Sequence, residues 1–140
     1  MADVEIDGHS LTIEGAISVA NGNNTAVLAH SARRRMEESR KGVEQIIDSG
    51  EVVYGINTGF GAMSSVRIAG DDLEQLQSNL IKSHACGVGD LMNPEYVLLM
   101  MVFRANSLAK GVSGIRPKIV DLLLGMVCLL YTSDAADEHT

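Results

Sequence analysis

The chain has 140 residues, 46% hydrophobic and only 4% aromatic, with 18 acidic against 11 basic side chains and a net charge of −7. That balance leaves no electrostatic footprint for nucleic acid or an anionic membrane. The longest apolar run, Tyr96 to Phe103, stops at Arg104, far short of a membrane span, and no basic, apolar, cleavable leader opens the sequence.

Taken in order, the chain reads as mainly α, with one long loop. Val4-Glu5-Ile6 suits a short strand. Thr12 is placed to cap a short helix that Asn21-Gly22 stops in the left-handed region. Thr25 is expected to cap a long helix reaching about Ser49, with Gly50 after it. Leu28, Ala32, Met36, Val43 and Ile47 recur at the steps of one helical face. Arg33-Arg34-Arg35, followed by Glu37, Glu38 and Glu44, reads as a solvated helix face rather than a binding patch. Val52 to Ile68 is Gly-rich without a clear period, and structureless stretches of that length in compact proteins are usually functional. Asp71-Asp72 open a third helix, where negative charge suits the N-terminal dipole. Leu73, Leu76, Leu80 and His84 share its face, and Gly87 ends it. Asn93-Pro94 cap and start a fourth helix. Val97 to Phe103 is apolar all round, which predicts burial on every side and missing partners to supply it. Gly111 closes this helix, and Pro117 starts a fifth that is expected to be cut short at Gly125-Met126.

The C-terminal stretch stands apart. Cys128 to Asp137 back-translates, over ten consecutive codons, to the adapter of a transposon-based sequencing library. Residues 1–127 are therefore expected to be native and 128–140 to be adapter read-through, set against the ordinary alternative of an acidic Ser/Asp/Ala terminus. Removing the tail takes away Asp134, Asp137 and Glu138 and no Lys or Arg, which leaves a balance of −4. It also takes away Cys128. Cys86 then stands alone, so no intrachain disulfide forms and a reducing, cytoplasmic setting fits.

Few residues stand out for chemistry. Tyr54 sits in Val53-Tyr54-Gly55-Ile56-Asn57-Thr58-Gly59-Phe60-Gly61, where three of the next seven residues are glycine. A phenol set beside glycines, which let ligand or backbone approach closely, suggests a positioned acid or base. The plainer reading is a ring packed at a helix-to-loop junction. An ordinary phenol ionises near ~10, so a base role calls for nearby cations or hydrogen-bond donors. Gly61 is either a turn glycine or a place where a missing side chain makes room for substrate. His84, in a last helical turn, is either a partner of the helix dipole or a pocket group able to donate and accept. Asn106, Lys110 and Arg116 read as scaffold groups around helix ends. The loop lacks the Gly-Lys-Ser/Thr of a phosphate cradle and the third glycine of a dinucleotide fingerprint. His9, His30 and His139 show no metal-ligand spacing, and no metal site is expected.

Three segments in order carry a resemblance: Val53 to Gly61; Gln77-Ser78-Asn79-Leu80-Ile81-Lys82-Ser83-His84-Ala85-Cys86-Gly87-Val88-Gly89; and Arg104 to Pro117. With the opening Gly8 to Gly22, they resemble the N-terminal region of the aromatic amino acid ammonia-lyases over about residues 5 to 126. The resemblance implies a mainly α-helical homotetramer, with each active site shared between subunits, and an N-terminal fragment of a much longer chain. It implies that Tyr54 is the base that takes the substrate's β-proton, that Gly61 lies against the substrate, and that Ser83-His84 line the pocket beside its ring. That pair is similar to the histidine lyases, and so implies deamination of L-histidine to urocanate. A tyrosine or phenylalanine lyase or an aminomutase of the same family is the first alternative. A non-catalytic helical binding protein is the second. The family's electrophile, 4-methylidene-imidazol-5-one, forms from an internal Ala-Ser-Gly that does not occur in these 140 residues, so the fragment is expected to be inactive.

Overall fold

Asp3–Ile6 forms the first strand, β1, and its partner is Thr25–Leu28, β2. The computed structural model describes residues 3–58 and 70–129; Gly61 and residues 130–140 lie outside them. The strands pair in parallel, Asp3 with Thr25 through Ile6 with Leu28, and the Thr25 hydroxyl donates to the Asp3 carboxylate. Parallel neighbours need a long crossover. Here it contains α1, Ile13–Ala20, capped by Thr12, whose hydroxyl oxygen accepts from the Gly15 amide at 3.0 Å. Asn21 and Gly22 end α1 as the sequence requires, with Gly22 at φ 71°.

The strand at Thr25 corrects the expected helix cap there. The long helix α2 runs His30–Ser49, so Leu28 belongs to a strand and not to the helical face. Local capping chemistry lost to hydrogen bonds with a segment 22 residues earlier. Thr and Val, with branched Cβ atoms, suit that pairing. The C-terminal end of α2 is as read, with Gly50 at φ 72°. Then come α3, Gly70–His84, and α4, Pro94–Leu108, where Asn93 Oδ1 accepts from the Glu95 amide at 2.9 Å. The last helix, α5, spans Pro117–Cys128. It passes through Gly125 instead of stopping there. An interior glycine costs about 1 kcal/mol, and the burial of Leu124 and Val127 on either side offsets that cost.

The described residues divide into two compact units, one holding those up to Arg40 and from Leu91 onward, the other Lys41–Asp90. The apolar core lies in the first, where Ile6, Val19, Met36, Val102, Val120 and Val127 are enclosed. Polar pins lock its elements together. Asn106 Oδ1 accepts from the Gly8 amide at 3.0 Å, and Arg35 Nη2 donates to the carbonyls of Asp7 at 2.7 Å and Ala109 at 3.3 Å. Arg33 pairs with Asp121 at 2.7 Å, and that bond holds its guanidinium above the ordinary value. The arginine triplet is thus not simply a solvated face. Residues two apart on a helix point to different sides, and two of the three reach other elements. This chain covers only one side of the apolar Val97 to Phe103 run. Leu98 and Val102 are buried, but Met100 and Phe103 are exposed. In the second unit, Asn57 and Thr58 are the only buried residues among those described.

Candidate active site

Tyr54 projects from a tight turn between α2 and α3. The Val53 carbonyl accepts from the amides of Ile56 at 3.1 Å and Asn57 at 3.3 Å. Gly55 occupies the third position at φ 79°, a positive angle that glycine adopts at no steric cost. The side chain of Asn57 braces the turn. Its Oδ1 accepts from the Val53 amide at 2.9 Å and its Nδ2 donates to the Glu51 carbonyl at 2.7 Å. Asn57 is 3% exposed and Tyr54 64% exposed, so a buried amide holds the backbone while the phenol faces outward. Sequence reasoning did not single out Asn57. The available signal was an Asn three residues after a turn's tyrosine, since Asx side chains commonly bond to nearby backbone.

Ser83 and His84 end α3, and both are exposed. His84 Nδ1 lies 2.9 Å from the Leu80 carbonyl and 2.9 Å from Ser83 Oγ, and Ser83 Oγ donates to that same carbonyl at 2.8 Å. A carbonyl only accepts. In the tautomer with its proton on Nδ1 the ring donates to the Leu80 carbonyl, which also accepts from the Ser83 hydroxyl. Nε2 is left as an acceptor, suited to a ligand that donates a ring N–H or a phenolic O–H. The turn and the helix end belong to the same compact unit, 41–90. The structure brings Ser83 and His84 into contact; Gly61 falls outside the described residues.

Other chemistry is limited. No cluster of three or more metal-ligating side chains occurs among the described residues, and Cys86 and Cys128 are both exposed free thiols. No described helix is long and apolar enough to cross a membrane. An open groove of about 360 Å³ beside β2 and α5, lined in part by the Arg33–Asp121 pair, contains none of the candidate residues.

The family model for aromatic amino acid lyases matches residues 11–129. The chain belongs to the aromatic amino acid lyase family. This family member is 47% identical over 124 residues to the histidine ammonia-lyase of Geobacillus thermodenitrificans, a match covering 89% of this chain and 25% of that protein. Among solved structures, histidine ammonia-lyase from Trypanosoma cruzi superposes with a TM-score of 0.80 at 35% identity, over 91% of this chain and 24% of its own. Tyrosine aminomutase from Streptomyces globisporus gives 0.83 at 32%, over 90% and 24%. The lyase chain described here thus spans about a quarter of the length of the relatives it matches. Its mainly helical fold is that of ammonia-lyase and aminomutase structures alike.

Proposed function

We propose that this chain is the N-terminal region of a histidine ammonia-lyase, a cytoplasmic homotetramer that converts L-histidine to urocanate and ammonia. The observation that carries the reading is the 47% identity to a histidine ammonia-lyase over most of the chain. The end of α3 supports it, because an imidazole with Nδ1 engaged offers Nε2 to a donor such as the substrate's own ring N–H.

The elimination breaks the Cβ–H and Cα–N bonds and forms a Cα=Cβ double bond. The proton passes to a base and the nitrogen leaves as ammonia. In this reading the Tyr54 phenolate accepts the β-proton. Gly61 leaves room for the substrate, and Ser83 and His84 hold its ring. The electrophile that activates the amine would be 4-methylidene-imidazol-5-one; the 140 residues contain no Ala-Ser-Gly from which to make it, and no step is derived through it. A second reading, an aminomutase acting on tyrosine, draws on the equally close superposition with tyrosine aminomutase. A phenolic O–H would serve Nε2 as well as an imidazole N–H.

The test starts by sequencing the source locus past Met126, which also decides whether the codons from Cys128 onward are genomic. In the full-length enzyme, His84→Leu should cut histidine turnover by ~10-fold or more, the scale of one lost hydrogen bond, with unchanged circular dichroism. Undiminished urocanate formation would make His84 a helix-end residue only. Greater turnover of tyrosine than of histidine by the wild type would favour the second reading.

A further inference from the structure

Each of the two helices that close the core has a second apolar side. On α4, Leu98, Val102 and Ala105 face the core, while Tyr96, Met100 and Phe103, spaced four and three apart, are 46–60% exposed. On α5, Val120, Leu124 and Val127 are buried, while Ile119, Leu122 and Met126 form an outward stripe 39–54% exposed. No charged residue lies between Glu95 and Arg104, and Asp121 of α5 is engaged by Arg33. Stripes of this composition suit an apolar polypeptide surface, not an anion or a nucleic acid.

The related structures indicate what covers them. The same fold recurs at TM-scores of 0.80 and 0.83 as about a quarter of much longer chains. Roughly three quarters of a family chain is thus available to lie against this quarter. We propose that the exposed stripes of α4 and α5 form a docking surface for the remaining portion of an aromatic lyase chain, and that they bind that portion even when it is a separate polypeptide. The inference rests on family membership and not on the choice of substrate, so a complex without histidine turnover leaves it standing.

The experiment co-expresses the tagged 140-residue chain with the part of the Geobacillus thermodenitrificans histidine ammonia-lyase that follows the matched segment. The two should co-purify as a soluble heteromeric complex by size-exclusion chromatography with light scattering. Met100→Glu and Leu122→Glu, each placing an unpaired charge in the interface, should lower recovery of the partner by ~10-fold or more while the chain keeps its helical circular dichroism. Arg34→Glu, a charge change at an exposed α2 position outside the stripes, should leave recovery unchanged. The proposal is overturned if no complex forms, if the partner stays insoluble beside the wild-type chain, or if both stripe variants bind it normally. It is equally overturned if the stripes instead close a homodimer that excludes the partner.

Discussion

The backbone that carries Tyr54 is held by its neighbours in the turn. Gly55 supplies the positive φ and the Asn57 amide bridges Glu51 and Val53. Tyr54→Phe keeps the ring, so in the proposed full-length lyase circular dichroism should stay unchanged while turnover drops by ~10²-fold or more, the usual scale for a lost general base. Near-normal turnover across pH would remove Tyr54 from the chemistry. Asp7 is a second residue whose role is electrostatic. Its carboxylate accepts from the amides of Ser10 and His9, both at 2.8 Å, and these bonds, Ser10 first, lower its pKa from 3.8 to about 2. A pKa depressed in the folded state stabilises above the unfolded value. That contribution shrinks as pH falls below 3.8 and is gone once pH passes below about 2. Thermal unfolding of the wild type and Asp7→Asn should therefore differ by a constant margin near neutral pH, and the margin should close across that acid window. A margin independent of pH would show that the Asp7 carboxylate titrates alike in the folded and unfolded chain and that its charge adds no stability. The candidate residues Tyr54, Ser83 and His84 were legible as residue types in suggestive settings. The brace at Asn57 and the contact of His84 Nδ1 with the Leu80 carbonyl were not, because both depend on which backbone groups the chain folds back to meet.

At the level of elements, the readable features were those written into short stretches. Thr12, Asn21-Gly22, Gly50, Asn93-Pro94 and Pro117 mark helix ends where the structure has them, because caps, left-handed glycines and the missing N–H of proline act within a few residues. Thr25 misled for the opposite reason. Its partner is Asp3, and no local pattern announces a parallel pairing across a helix. Long-range fit also decides which glycines are replaceable. Gly111, which follows α4, has φ 77°, and an added Cβ would lie 2.7 Å from Arg35 Cβ and 3.0 Å from the Arg35 carbonyl carbon. Gly111→Ala should destabilise by about 1–3 kcal/mol, from the strained angle together with the forced displacement of α2. Gly42, inside α2, has nothing within 4 Å of a built Cβ. Gly42→Ala should be neutral or stabilising by about 0.5–1 kcal/mol. Melting midpoints of the two variants should therefore move in different directions. A fall of similar size in both would mean that backbone crowding is not what selects glycine at 111.

For the whole molecule, the decisive fact is the disparity between how much of this chain shares the family fold and how little of its relatives' length it spans. About nine tenths of this chain superposes on lyase and aminomutase structures, yet it accounts for about a quarter of them. The first unit has a closed core, whereas the described part of the second buries only Asn57 and Thr58 and leaves every residue from Ile81 to Asp90 exposed. The 140-residue chain by itself should therefore give no product from histidine, tyrosine or phenylalanine. It has no Ala-Ser-Gly to generate an electrophile, and its candidate base and ring-binding pair sit on a unit without an apolar core among the described residues. It should also associate, because Met100, Phe103, Leu122 and Leu129 present apolar surface to water. Product assays on the purified chain, run beside light scattering and a thermal melt, check both halves at once. A monodisperse monomer melting cooperatively would show that the outward stripes need no cover. Specific deamination by the chain alone would show that the chemistry does not depend on the electrophile assigned to the family, and would remove the proposed mechanism with it.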